Sequence, residues 1–218
     1  MHQDFWHERW QTGQVGFHQS TIPPLLERWW PSIGAPASAR VYVPLCGKSL
    51  DMAWLAARGH RVVGSELSPI AIRDFFASQS LEPARTTGGS FTRHAAGPYE
   101  LLEGDALALT PATLGPIDAV YDRAALVALP PDMRAAYAES MAGLVPRGAA
   151  MLLIAFEYPQ EMKGGPPFSV PEEEIRARFG TAFAIDVLER VDVLAGNPKF
   201  AEFGIPALHE IAVRLTRA

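Results

Sequence analysis

Arg40-Val-Tyr-Val-Pro-Leu-Cys-Gly-Lys-Ser49 and, after a helical interval, His60-Arg-Val-Val-Gly-Ser-Glu66 decide the fold of this chain. The first stretch opens on β-branched and aromatic residues and closes on Gly47, so it reads as a short strand running into a turn. Ser49 to Arg58 then reads as a helix ended by Gly59, the residue type that most readily takes the backbone a helix terminus needs. His60 to Glu66 is a second strand. Ser68 to Ser80 is a second helix, with Ser68 as its N-cap and Pro69 at the first helical position. Strand and helix alternating at this spacing predict parallel strands joined by crossover helices.

The same alternation continues downstream. Tyr99 to Leu102 is a short strand ending in Glu103-Gly104-Asp105, and Ile117-Asp-Ala-Val-Tyr-Asp122 is another. Pro131 to Val145 reads as a helix. Ala149 to Phe156 is a wholly apolar strand, as expected where both sheet faces are covered. Pro171 to Phe179 is a helix, and Ile185 to Val193 and His209 to Leu215 are the last strands. With no helix-length segment between them, these two predict an antiparallel closing hairpin. Glu82 to Pro98 and Glu157 to Val170 read as long loops near strand ends, where lids and substrate walls are often built.

Upstream, residues 1 to about 30 carry four of the five tryptophans (Trp6, Trp10, Trp29, Trp30) with Phe5 and Phe17. Trp6 and Trp10 are four apart and share one face of a helix. That face either packs on the main domain or covers a ligand as a flap. Asp4 and Glu8 form its solvated side.

Composition narrows the class. The 218 residues are 48% hydrophobic and 20% charged, ordinary for a globular domain large enough to bury a substantial core. A single cysteine, Cys46, forms no internal disulfide and favours a reducing compartment. Nineteen Lys and Arg against 24 Asp and Glu give a net charge of −5, which argues against a nucleic-acid or anionic-membrane surface. No run approaches the ~20 apolar residues of a membrane span, and the N-terminus lacks the features of a signal peptide. The expectation is a cytoplasmic protein, monomeric because no spare apolar helix face stands out. The histidines show no metal-ligand spacing.

In open α/β sheets ligands sit at the carboxyl ends of the strands. Glu66, Asp105 and Asp122 all fall there. Glu66 follows Gly47 by nineteen residues, the spacing at which a carboxylate accepts from the two hydroxyls of an adenosine ribose. The turn Pro44-Leu-Cys-Gly-Lys-Ser49 lacks the G-x-G-x-x-G fingerprint of dinucleotide folds. It is no Walker A loop either, since Tyr42 stands where the first glycine would be. A phosphate-free adenosine ligand suits the turn best, and S-adenosylmethionine is the commonest such cofactor. The blander reading keeps the three acids as solvated loop carboxylates and Asp122-Arg123 as a structural ion pair. His18 is read as a positioned structural histidine, Cys46 as a small, semi-buried thiol.

Five blocks then carry a resemblance. They are Trp6-x3-Trp10-x2-Gly13-Gln14-x-Gly16-Phe17-His18-Gln19, Val43-Pro-Leu-Cys-Gly-Lys-Ser-Leu-Asp-Met52, Gly64-x-Glu66-Leu-Ser68, Tyr121-Asp-Arg-Ala-Ala-Leu-Val-Ala-Leu129 and Gly165-Pro-Pro-Phe168. In this order, over almost the whole chain, they resemble the thiopurine S-methyltransferases, and the bacterial branch most. The resemblance implies an α/β, Rossmann-like S-adenosylmethionine-dependent methyltransferase fold: seven strands, mainly parallel, with an antiparallel C-terminal hairpin and helices on both faces. It implies one domain over 1–218, with an aromatic helical lid at 1–30 and an α/β core at 40–218. The cofactor implied is S-adenosyl-L-methionine, bordered by Trp10, Leu45, Glu66, Asp105, Ala106 and Arg123. Phe17, Pro166 and Pro167 match positions lining the acceptor pocket, and Arg123 matches the catalytic arginine between cofactor and acceptor.

The acceptor implied is a small aromatic or heterocyclic thiol, with selenium or tellurium species as further candidates. Since an aromatic thiol is acidic enough to ionise, no strong general base is required, and no His/carboxylate pair is evident. A non-catalytic sensor of S-adenosylmethionine is the alternative from another class. The sequence departs from the family at Ser65, where valine is more usual. It departs again at Asp105-Ala106-Leu107, where two aromatics are lost, and at Lys199, the nearest match to a second arginine.

Overall fold

The computed structural model describes residues 3–16 and 18–218. After α1 (Gln3–Gln11) and α2 (Pro24–Trp29) the chain enters β1 (Arg40–Val43), α3 (Leu50–Ala57), β2 (Arg61–Glu66) and α4 (Pro69–Ser78). Ser49 and Ser68 cap α3 and α4, their hydroxyls accepting from the Asp51 and Ala71 amides. Next come β3 (Ala84–Gly88), β4 (Phe91–Ala96), β5 (Tyr99–Glu103), α5 (Pro111–Leu114), β6 (Ala119–Arg123), α6 (Ala125–Ala128), α7 (Arg134–Leu144) and β7 (Ala150–Glu157). The chain ends with α8 (Glu172–Phe179), β8 (Phe183–Asp192), α9 (Pro198–Ala201) and β9 (His209–Arg217).

Among the described residues the strands form one nine-stranded sheet in the order β3-β4-β5-β2-β1-β6-β7-β9-β8. The five central strands are parallel, and β9 and β8 close the far edge antiparallel. The count exceeds the expected seven because residues 82–98 are not a loop. Gly88 pairs with Phe91 around a two-residue Gly89-Ser90 turn in which Gly89 takes φ +59°, and β4 pairs with β5. Glycines that read as loop punctuation are therefore hairpin-turn residues. His94 of β4 anchors the hairpin through a 2.8 Å hydrogen bond with Glu103.

Helices cover both faces. One face buries Val41, Tyr121, Leu152 and Ala212 beneath Leu26, Trp30, Met52, Leu55 and Phe75 of the N-terminal region and α3–α4. The other buries Tyr42, Val120 and Met151 beneath Leu114, Tyr137, Met141 and Phe179. Alternation along the strands thus assigns odd residues of β6 to the first face and even residues to the second.

Trp30 donates its indole N–H to His60 Nε2 at 2.9 Å, which requires a neutral imidazole. Burial, aided by Arg58, holds His60 below the usual histidine pKa. The unfolded chain therefore binds a proton first as pH falls below about 6.5, and stability is lost on acidification. His60→Gln, which keeps an acceptor for Trp30, is expected to remove that loss. Urea midpoints at pH 7.5 and 5.0, compared between wild type and variant, check it; an identical pH response in both refutes it.

Candidate active site

The sheet order reverses between β1 and β6, and both strands end in strained turns there. Leu45 takes φ +46° and Gly47 φ +52° after β1, and Ala124 takes φ +84° directly after Arg123. Two non-glycine residues in the left-handed region on neighbouring strand ends mark a backbone shaped for something other than stability. Glu66 at the end of β2 is buried, and its carboxylate accepts from Gly47 N at 2.9 Å and Ser68 N at 2.7 Å. Burial raises its pKa while the amides of Ser68, Gly47 and Leu67 pull it back. A carboxylate offers about four lone-pair positions, so acceptor capacity remains for a hydroxyl donor. Trp10 is buried over the same turn, its ring 3.4 Å from where a Cβ on Gly47 would stand.

The turn is held from below. Cys46 N donates to Ser65 O at 2.9 Å, and the Cys46 thiol fills the space that a side chain at Gly64 would need. A Cβ on Gly64 would lie 2.6 Å from Cys46 Sγ and 2.7 Å from Leu101 Cδ2. Gly64→Ala is accordingly expected to cost about 1–3 kcal/mol and to weaken cofactor binding by moving the turn. Thermal unfolding and titration calorimetry check both effects; an alanine variant of wild-type stability refutes the packing account. Cys46 is buried, and burial beside Glu66 lifts its thiol well above the usual range, so it is no nucleophile. Ser65 is also buried, its hydroxyl paired with Tyr42 Oη at 2.8 Å, which satisfies the polar group brought in by that departure.

At the end of β5, Gly104 takes φ +155° with the Phe91 ring against it, so the added hairpin brings an aromatic next to this turn. Asp105 caps the following turn, accepting from Leu107 N at 2.9 Å, and Ala106 is buried beside it. Glu66, Asp105 and Ala106 thus share the ends of adjacent strands.

Asp122 does not join them. It turns to the opposite face from Arg123, is fully buried, and accepts from Tyr137 Oη at 2.6 Å and Ala125 N at 3.0 Å. The ion pair with Arg123 entertained from sequence is therefore absent: neighbours in a strand point to opposite faces. Burial pushes the Asp122 carboxyl up to about 6 against the pull of those hydrogen bonds.

Arg123 faces a different set of groups. Its charge acts on Asp51, Glu210, His18 and Tyr121, lowering the pKa of each. Asp51, in the first turn of α3, is 2% exposed and accepts from Tyr121 Oη at 2.9 Å. Burial raises the carboxyls of Asp51 and Glu210. Among the described residues Arg123 itself makes no hydrogen bond or ion pair. Neither Asp51 nor Glu210 was picked out from the sequence. Asp51 looks like an ordinary helix-start acid, and the one signal for Glu210 is an acid directly before the apolar Ile211-Ala-Val213 run of the final strand.

The expected acceptor wall lies on the 157–170 segment. Pro166 and Pro167 are half-buried, each preceded by a cis peptide bond. Tyr158 Oη donates to Pro167 O at 2.6 Å, and Phe168 N to Val127 O at 2.7 Å. Buried Arg134 donates to Ser169 O at 3.2 Å and pairs with Glu174 at 2.6 Å. Phe17 lies outside the described residues. Lys199 projects from α9 to within 3.3 Å of a Cβ position on Gly16, joining the C-terminal excursion to the N-terminal segment.

Among the described residues no cluster of three or more His, Cys, Asp or Glu is arranged to hold a metal ion, and no helix is long and apolar enough to cross a membrane. The fold and the β1/β6 cleft define an S-adenosylmethionine-dependent methyltransferase. A methyltransferase of that class from Anabaena variabilis superposes with a TM-score of 0.66 at 15% identity, over 99% of this chain and 95% of that one. A Burkholderia thailandensis 1,6-didemethyltoxoflavin-N1-methyltransferase, crystallised with S-adenosylhomocysteine, gives 0.64 at 18% identity, over 99% and 87%.

Within that class, residues 1–218 match the thiopurine S-methyltransferase family, to which the chain belongs. It is 49% identical over 217 residues, 100% of both chains, to the thiopurine S-methyltransferase of Xanthomonas campestris pv. campestris. It is 50% identical to that of Methylococcus capsulatus, over 97% of this chain and 96% of the relative. The residues present fit the cofactor: a buried acid with acceptor capacity left, a glycine turn under an indole, and a cation without a partner among the described residues.

Proposed function

We propose that this protein transfers the methyl group of S-adenosylmethionine to the sulfur of a small aromatic or heterocyclic thiol, thiopurines among them, and to selenium or tellurium species of similar size. The observation that carries the reading is that the Glu66–Gly47–Trp10 group and Arg123 stand together at the carboxyl ends of β2, β1 and β6, consecutive in the sheet. In this reading Glu66 accepts from the ribose hydroxyls, while Trp10 and Leu45 flank the methionyl part and Asp105 and Ala106 border the adenine. Phe17, Pro166 and Pro167 line the acceptor pocket. When bound, the cofactor supplies an already activated methyl group. The chain has to align the nucleophile with it and exclude water, an orientation effect worth roughly 7–11 kcal/mol of barrier. Arg123 steadies the anionic acceptor and the cofactor carboxylate.

Residues 1–30 act as a lid over residues 40–218 of the same domain. Deleting residues 1–20 removes Trp10 yet leaves Leu25, Leu26 and Trp30 in the core. Transfer is expected to be abolished with the remainder folded by circular dichroism. Unchanged activity in the truncated protein refutes the lid.

The function is tested with matched acceptors, 6-mercaptopurine against its 6-hydroxy analogue, with selenite in parallel. Turnover on the thiol alone, or on thiol and selenite, supports the reading. Calorimetric binding of S-adenosylmethionine without turnover on either points instead to a sensor.

A further inference from the structure

Three charged groups on one face of the sheet meet beside the methyl-transfer cleft, and the family reading uses just one of them. Arg123 of β6 pairs with Ile154 of β7, and Ile154 with Ala212 of β9; Glu210 lies two residues from Ala212 and therefore on the same face. Two strand spacings, roughly 10 Å, separate the two backbones, close enough for Arg123 to act on the Glu210 carboxylate electrostatically although the two side chains form no ion pair. Asp51 approaches the same face from α3 and is fixed there by the Tyr121 hydroxyl at 2.9 Å. That bond occupies one Asp51 carboxylate oxygen and fixes the group's position. The Glu210 carboxylate has no hydrogen-bonding partner among the described residues.

Resting on the thiol-methylation reading, we infer that Glu210 takes the proton of an acceptor that enters the cleft as a neutral thiol or thione, with Asp51 and Arg123 tuning its readiness to do so. The sulfur lone pair attacks the methyl carbon. The bond from that carbon to the sulfonium sulfur breaks with its electron pair on the leaving thioether. The S–H proton, or the ring N–H proton of a thione, passes to a Glu210 carboxylate oxygen and afterwards to water. Charge balances: a cation, a carboxylate and a neutral acceptor become two thioethers and a carboxylic acid.

The surroundings favour this group. Burial raises the Glu210 carboxyl, Asp51 adds like-charge repulsion, and Arg123 keeps it ionised enough to act. Protonating Glu210 relieves the repulsion from Asp51, so the proton gained in the reaction is welcome there. Tyr121 also faces both acids. His18, the other candidate, faces Asp51 but sits beside Lys48 and Arg123, and burial with these two cations lowers its pKa. A proton on His18 would add a third positive charge.

The experiment uses two phenyl-bearing thiols with the full-length enzyme: the aromatic 4-nitrothiophenol, already a thiolate at neutral pH, and the benzylic benzyl mercaptan, still protonated there. General-base assistance typically contributes at least 100-fold. Glu210→Gln is expected to lower kcat for benzyl mercaptan roughly 100-fold and for 4-nitrothiophenol less than threefold, with S-adenosylhomocysteine affinity kept. Asp51→Asn, by removing a like charge, is expected to move the acidic limb of the benzyl mercaptan profile to lower pH. Equal losses on both thiols, no loss on either, or a thiol-selective loss in His18→Gln instead each overturn the assignment. A wild-type enzyme that methylates neither thiol overturns the thiol reading itself, and the proton-acceptor role with it.

Discussion

Glu66→Gln is expected to lower affinity for S-adenosylmethionine by about two orders of magnitude without unfolding the protein. Each Glu66 oxygen already accepts one backbone amide, from Gly47 at 2.9 Å and Ser68 at 2.7 Å. A glutamine must turn its NH2 toward one of these N–H donors, so it weakens the turn after β1 while losing an acceptor for the ribose. Hydrogen bonds to a charged group are worth roughly 1.5–3 kcal/mol each, and two of them correspond to 100-fold or more. Calorimetric titration with S-adenosylhomocysteine checks the affinity, and thermal unfolding checks the fold. A variant that binds within threefold of wild type contradicts the assignment of Glu66.

Arg123→Ala is expected to reduce kcat/KM by roughly 100- to 1,000-fold, the range seen when one preorganised electrostatic contact to a developing charge is removed. The loss has two sources. The cofactor carboxylate and anionic acceptor lose their cation, and buried Asp51 and half-buried Glu210 are left as two like charges without the group that lowers both pKa values. Their carboxyls are then expected to rise further, moving the acidic limb of activity to higher pH. Arg123→Lys retains the charge but not the planar fork, and its activity should fall between. Steady-state kinetics decide: cofactor affinity and turnover both within a factor of two in the alanine variant exclude this role.

The central βαβ unit was legible from sequence because its signals are local. Ser49 and Ser68 cap helices that begin where the sequence places them, and Gly47 and Glu66, paired in sequence by their spacing, prove to be in direct contact through a 2.9 Å hydrogen bond. The β3–β4 hairpin was hidden because Gly88-Gly89 punctuates a turn as readily as a loop, and tertiary pairing with β5 decides between them. Asp122 was misplaced for a different reason. A strand end fixes which residues lie near the cleft, but the face each takes depends on a parity that its limits, off by one or two, leave open. Glu210 and Asp51 are far apart in sequence, and no local pattern ties either to Arg123; the β6–β7–β9 register relates Glu210 to it, and the Tyr121 hydroxyl fixes Asp51 on the same face. His18 was noticed for its place in Gly16-Phe-His-Gln19, while its electrostatic neighbours came from three separate elements.

The most direct test of the account is transfer of label from methyl-labelled S-adenosylmethionine to 6-mercaptopurine, with the product's methyl position assigned by NMR. Label on sulfur, lost in Arg123→Ala, is the result expected of a cleft that holds an anionic thiol between Arg123 and the cofactor. Label on a ring nitrogen, or binding of S-adenosylmethionine with no transfer at all, would contradict it.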